Sequence, residues 1–84
     1  MARHRWHTER KITAQMLLAM RETAGLNQVD VAEKIQKPQS HVSKYESGDR
    51  GLEMHEIREI CVACGVEFAD FAKEFDTRIA KARE

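Results

Sequence analysis

The sequence predicts an all-α fold, a compact bundle of about five short helices. Three observations carry that expectation. Apolar residues recur at intervals of three and four in successive stretches of the chain, and no stretch alternates apolar with polar residues as a half-buried strand would. Gly25, Pro38, Gly48 and Gly65 stand between the stretches, where a helix must stop. With one Pro and four Gly in 84 residues, the intervals between those breaks run uninterrupted. A chain of this length makes one small domain and buries only roughly 60% of its unfolded surface.

The elements follow in order. Residues 1–12 are polar with a single Trp6 and read as an arm or a helical lead-in. A first helix is expected from about Thr13 to Thr23, with Met16, Leu17, Met20 and Ala24 on one face. Gly25 ends it in a left-handed conformation. Asn27 is placed to cap a second helix, with Asp30 three residues on, and that helix spans Gln28 to Ile35. Val31, Ala32 and Ile35 form its buried side, beside Leu26. Pro38 breaks the ladder and disfavours helical geometry at Lys37. A third helix restarts at Pro38 or Gln39, is anchored by Val42 and Tyr45, and ends by Ser47 before Gly48. A fourth, from about Met54 to Cys64, buries Ile57, Ile60, Cys61 and Cys64. A fifth begins near Phe68 and repeats the pattern with Phe68, Phe71, Ala72, Phe75 and Ile79. Residues 13–76 thus form the domain and 77–84 a helical tail, fraying from Ala80.

Formal net charge is zero, but its distribution is uneven. Residues 1–50 hold nine Lys and Arg against six Asp and Glu; residues 51–84 hold five against eight. That split fits a basic face opposite an acidic one, although splits of this size also arise by chance. No apolar run approaches the roughly 18 residues of a membrane span, and Met1 to Lys11 lacks the apolar stretch of a secretory signal. The two cysteines lie within one helix, which is no disulfide framework. The expectation is a reduced, cytoplasmic protein without a deep substrate cavity.

Cys61-Val62-Ala63-Cys64 has the spacing of a redox or zinc motif. A redox pair belongs beside a βαβ pattern, which is absent, and zinc needs a second pair of ligands, for which only His4 and His7 offer themselves. Both cysteines fall on the apolar stripe with Ile57 and Ile60, so they are read as packed core thiols, with no metal and no cofactor. The phenylalanine stripe is likewise read as core rather than as a cofactor box, its outer edge available to a dimer contact.

The stretch from Leu26 to Gly48 is the most informative. Two helices of about eight residues flank a turn of about three, the proportions of a helix-turn-helix. Ala32 is small where the two helices cross, and Val42 is apolar and β-branched where it fills the angle between them. Ile35 and Tyr45 tie the pair to the core. The third helix then exposes Gln39, Ser40, His41, Ser43 and Lys44, a short set of donors and acceptors without a carboxylate. Such a surface meets phosphates and base edges without repulsion; a Gln amide pairs bidentately with adenine, and a Lys reaches guanine or phosphate.

On these residues the chain resembles the phage repressor/Cro-type helix-turn-helix family, also called the xenobiotic-response-element type. The resemblance spans roughly Leu17 to Phe71. It is carried by Leu26-x-Gln28, Val31-Ala32, Pro38-Gln39-Ser40, Val42-Ser43-Lys44 and Glu46-x-Gly48-x-Arg50-x-Leu52. It implies a lambda-repressor-like bundle whose third helix, about 38–47, lies in the DNA major groove. It places Gln39, Ser40, His41 and Lys44 at base-reading positions, with Ser43 at base or backbone. It sets Gln28 at a phosphate from the start of the second helix, where the helix dipole assists. Asn27, Lys37 and Arg50 complete the expected phosphate-contacting set. One departure stands out: the turn residue after Ile35 is usually Gly and here is Gln36, a side-chain-bearing residue asked to take a left-handed conformation. Glu53 and Glu67 also stand where better helix caps are usual. His41 adds a titratable group to the reading helix.

The implied function is a sequence-specific, duplex-DNA-binding transcriptional regulator. One reading helix supplies few base contacts, so a homodimer on an inverted repeat is expected. The alternative is a protein-interaction module of the same fold, such as a partner-binding antitoxin, working through Glu53, Glu56 and Glu59. Arg3 to His7 would either enter a minor groove or form a solvated tail. Ser43, His41 and Glu46 lie within about one helical turn with no oxyanion site implied, so no catalysis is expected.

Overall fold

The computed structural model describes the backbone of residues 4–84 and the side chains of residues 7–84. Five helices follow one another: α1 His4–Thr23, α2 Gln28–Ile35, α3 Gln39–Ser47, α4 Met54–Ala63 and α5 Phe68–Ala82. There is no strand among the described residues. α1 packs on α3 and α5, α2 on α3 and α4, and α4 on α5.

Four of the helices end in the same way. After α1, Gly25 N–H donates to the carbonyl of Glu22 and Leu26 N–H to that of Arg21, at 3.0 and 3.1 Å. Equivalent pairs close α2 (Gln36 to Glu33, Lys37 to Ala32), α3 (Gly48 to Tyr45, Asp49 to Lys44) and α4 (Gly65 to Val62, Val66 to Cys61). This double bond uses carbonyls that a helix end leaves free, and it requires one left-handed residue. Glycine supplies it three times; at the turn between α2 and α3 it is Gln36, at φ 59° and ψ 48°. The departure at Gln36 therefore leaves the turn intact and stores strain on the order of 1–2 kcal/mol in it.

The core is built from one or two residues per helix: Met16 and Leu17, Val31 and Ala32, Val42 and Tyr45, Ile60 and Cys61, and Phe71. Val31, Val42 and Cys61 are fully buried. Ile35, Ile57, Cys64, Phe68 and Phe75 are half-buried around them.

Three expectations need correction. α1 begins at His4 rather than near Thr13. Its early turns have support the apolar pattern does not reveal: Ile12 packs against the core, the Thr13 hydroxyl donates to the Glu9 carbonyl at 2.8 Å, and the Glu9 carboxylate pairs with Arg83. α5 continues to Ala82, beyond the expected fraying point, and the Arg83 pairing anchors that end. Ala24 and Ala72 are exposed. Ala24 lies past the end of α1, where the chain turns away, and Ala72 stands one position off the Phe68, Phe71, Phe75 stripe. Met1 to Arg3, the side chains of His4, Arg5 and Trp6, and with them the groove-entering arm and the His4–His7 ligand pair, lie outside the described residues.

Candidate nucleic-acid interface

α3 divides into two sides. Val42 and Tyr45 point into the core. Gln39, Ser40, Ser43, Lys44 and Ser47 are exposed and share one arc at 3.6 residues per turn. The arc contains no carboxylate. Four of the five expected base readers lie on it, and Ser47 joins them at its far end.

The fifth, His41, is placed apart. Its ring meets Tyr45 edge-on, centroids 5.6 Å apart and planes at 80°. With Lys37, His55, Glu56 and Glu59 it lines a polar crevice between α3 and α4 of about 270 Å³. Burial pushes its pKa below the ordinary value, Arg50 and Lys37 add to that, and Glu56 opposes it. His41 is half-buried at this crevice and lies off the exposed arc.

The expected phosphate set is spread over the start of α2, the turn and the loop after α3. Asn27 caps α2: its side-chain oxygen accepts from Asp30 N–H at 2.8 Å, and its own N–H donates to the Asp30 carboxylate at 2.9 Å. Lys37 is exposed in the turn. Arg50 leans toward α4, 3.6 Å from Glu56. The Glu56 carboxylate also accepts from Glu53 N–H at 2.8 Å. That bond, ahead of the charge of Arg50, holds Glu56 below the usual carboxylate range. Glu53 and Glu59 remain exposed on α4.

A hydrogen-bonded chain joins three helices behind the arc. Arg21 of α1 grips Glu46 of α3 with two donors, at 2.7 and 3.0 Å, and gives a third to the Leu26 carbonyl at 2.9 Å. Glu46 also accepts from the Gln28 amide at 2.9 Å, and the Gln28 oxygen accepts from the Gln39 amide at 3.2 Å. The two side chains of the pair are only 12% and 5% exposed, so both charges are largely out of water and each satisfies the other. The hydrogen bond that Arg21 donates to Glu46 raises the Arg21 pKa further. The arrangement leaves useful valence at its outer end. Gln39 keeps one amide N–H and its carbonyl oxygen, the pair a Gln needs to meet adenine, and Gln28 keeps one amide N–H.

Sequence reasoning placed Gln28 and Gln39 separately and missed the Arg21–Glu46 pair that joins them. The two partners are 25 residues apart, and no periodicity connects them. Glu46 stands four residues after the buried Val42, and that helical spacing is the sign in the sequence that it lies toward the inner side of α3. Ser43, His41 and Glu46 are not assembled as a catalytic group, since Ser43 is exposed on the arc and Glu46 is held by Arg21. Cys61 is buried and its thiol is pushed up to about 11; burial raises Cys64 as well, as packed thiols require. Among the described residues no cluster of three metal-ligating side chains occurs, and no helix is long and apolar enough to cross a membrane.

Four capped helices, a two-helix unit with a three-residue turn, and an acid-free exposed arc on the second of those helices define a helix-turn-helix domain. The sequence profile of the helix-turn-helix family matches residues 17–71, well over half of the chain, and the chain belongs to that family, in its Cro/repressor type. The family consists of DNA-binding regulators acting on double-stranded DNA, and the function of this chain is of that kind. Among curated proteins none matches the chain.

Proposed function

We propose that the chain is a sequence-specific transcriptional regulator that lays α3 in the major groove and reads an inverted repeat as a homodimer. The observation that carries this reading is the held amide of Gln39. Gln28 and the buried Arg21–Glu46 pair orient it from behind, while its carbonyl and one N–H face outward. Ordering a glutamine before binding removes much of the rotamer entropy that the contact would otherwise cost. Gln39, Ser40, Ser43 and Lys44 then meet base edges. Asn27, Gln28, Lys37 and Arg50 hold the flanking phosphates, Gln28 from the positive end of α2. His41 is assigned instead to the crevice between α3 and α4.

The homodimer rests on affinity. Four side chains on one short helix supply few base contacts, and two such helices roughly 34 Å apart double the readout on successive turns of DNA. Such a protein works in the cytoplasm, on the nucleoid.

The test is to titrate preferred and random duplexes with the wild type, Gln39→Ala and Lys37→Gln. Gln39→Ala is expected to lose about 1–3 kcal/mol on the preferred site and little on random DNA. Lys37→Gln is expected to weaken both alike and flatten the salt dependence. Equal losses from Gln39→Ala on both duplexes would remove it from base reading. No duplex affinity at low salt would favour the partner-binding alternative, with the exposed Glu53 and Glu59 of α4 as its surface.

A further inference from the structure

The first turns of α1 run outside the matched segment 17–71, yet they lie against the far end of the reading helix. His7, Arg10, Lys11 and Gln15 on one side, and Ser47 and Asp49 on the other, line a groove of about 450 Å³. Arg10 and Lys11 are exposed, and among the described residues neither makes an ion pair. The Arg10 guanidinium lies over Gly51, where an added Cβ would come within 2.8 Å of it. Arg10 and Arg50 line a second crevice together, so two cations converge on the α3–α4 loop.

Satisfying the end of α3 does not explain this convergence. The Lys44 carbonyl already accepts from Asp49 and Arg50 N–H and from the Ser47 hydroxyl, and the Tyr45 carbonyl accepts from Gly48 N–H. The groove's carboxylates do not explain it either. Glu46 is occupied by Arg21 and Gln28, Glu9 of the second crevice by Arg83, and Asp49 is exposed and unpaired with Arg10 or Lys11; Glu56 lies 3.6 Å from Arg50 and leaves Arg10 and Lys11 free among the described residues. The backbone that presents the cations is secured through the pairing of Glu9 with Arg83, the Thr13–Glu9 hydrogen bond and the buried Ala14.

A reading helix places its amino-terminal residues on the base edges, so its carboxyl end leaves the groove over a sugar-phosphate strand. We infer that Arg10 and Lys11 form, with Arg50, a cationic shelf at the carboxyl end of α3 that takes phosphates of the duplex outside the segment read by the helix. The inference rests on the DNA-binding reading above. It makes the amino-terminal turns of α1 a working part of the DNA-binding surface, adding about two phosphates to each half-site.

The test compares Arg10→Gln/Lys11→Gln with Lys73→Gln/Lys81→Gln, an equal loss of charge on α5. All these positions are exposed, so both variants are expected to keep the wild-type melting curve. The measurement is the dissociation constant for a preferred and a random duplex across a salt series. The shelf variant is expected to lower the slope of log K against log salt by roughly 3–4, because two phosphate contacts are lost in each half-site and each contributes about 0.9. It is expected to keep the ratio of preferred to random binding, and the α5 variant to keep the wild-type slope. A shelf variant with the wild-type slope, or one no different from the α5 control, overturns the shelf and leaves the reading helix standing. A wild-type chain without duplex affinity overturns both.

Discussion

Glu46 accepts from Arg21 twice and from Gln28 once, inside a site from which water is nearly excluded. Its removal has two separable consequences. Glu46→Ala leaves the Arg21 guanidinium poorly solvated and unpaired, which costs about 3 kcal/mol and lowers the melting temperature by roughly 15 °C in a domain of this size. Replacing both partners with apolar residues, as Arg21→Met/Glu46→Leu, is expected to restore most of that stability, because no charge is then stranded. Both variants also release Gln28, and with it Gln39, so both are expected to discriminate between DNA sites less sharply than the wild type. Thermal melting checks the first point and duplex titration the second. A double variant that is as unstable as Glu46→Ala, or that reads DNA as sharply as the wild type, would contradict this account of the pair.

At the scale of elements, α3 presents its exposed arc on one side, and His41 lies off that arc at the crevice shared with α4. The groups around it are Lys37 from the turn, Arg50 from the loop, and His55, Glu56 and Glu59 from α4. The folded protein holds His41 below its ordinary value of about 6.5. The unfolded chain therefore takes up that proton at a higher pH than the folded one. The associated stability is complete above the ordinary value and is lost as pH falls through it toward the folded pKa. Glu56 is held below the carboxylate range, so its contribution disappears only at more acidic pH. The melting temperature is expected to be level at neutral pH and to start falling near pH 6.5, and His41→Gln is expected to delay that fall into the carboxylate range. An unchanged onset in His41→Gln would remove the histidine from this role.

The same scale separates what the sequence made legible from what it did not. α2 has the expected bounds because Asn27 caps it and Pro38 closes the interval after it. α3 and α4 fall within a residue of expectation because Gly48 and Gly65 end them. Punctuation of this kind is local and can be read one residue at a time. The start of α1 has no cap, and its support comes from Glu9 reaching Arg83 at the other end of the chain. The inward turn of His41 and the Arg21–Glu46–Gln28–Gln39 chain likewise depend on which helices meet, which no single helix records. The exposed arc was legible as a set of polar residues; the hydrogen bonds that fix Gln39 were not.

Over the whole molecule, five basic groups of the amino-terminal half are set along and at both ends of α3. Lys37 stands in the turn, Lys44 on the arc, Arg50 in the following loop, and Arg10 and Lys11 on the neighbouring turns of α1. The zero net charge thus conceals a side suited to phosphate, while eight of the chain's fourteen acids fall in residues 51–84. The measurement that tests the central claim most directly is enrichment of bound fragments from a random duplex library, run in parallel with the wild type and Gln39→Ala/Lys44→Ala. The wild type is expected to enrich a two-fold symmetric motif with half-sites about one helical turn apart, and the double variant to bind without enriching it. The same motif recovered by both proteins, or none recovered by the wild type at low salt, would contradict the claim that α3 reads DNA.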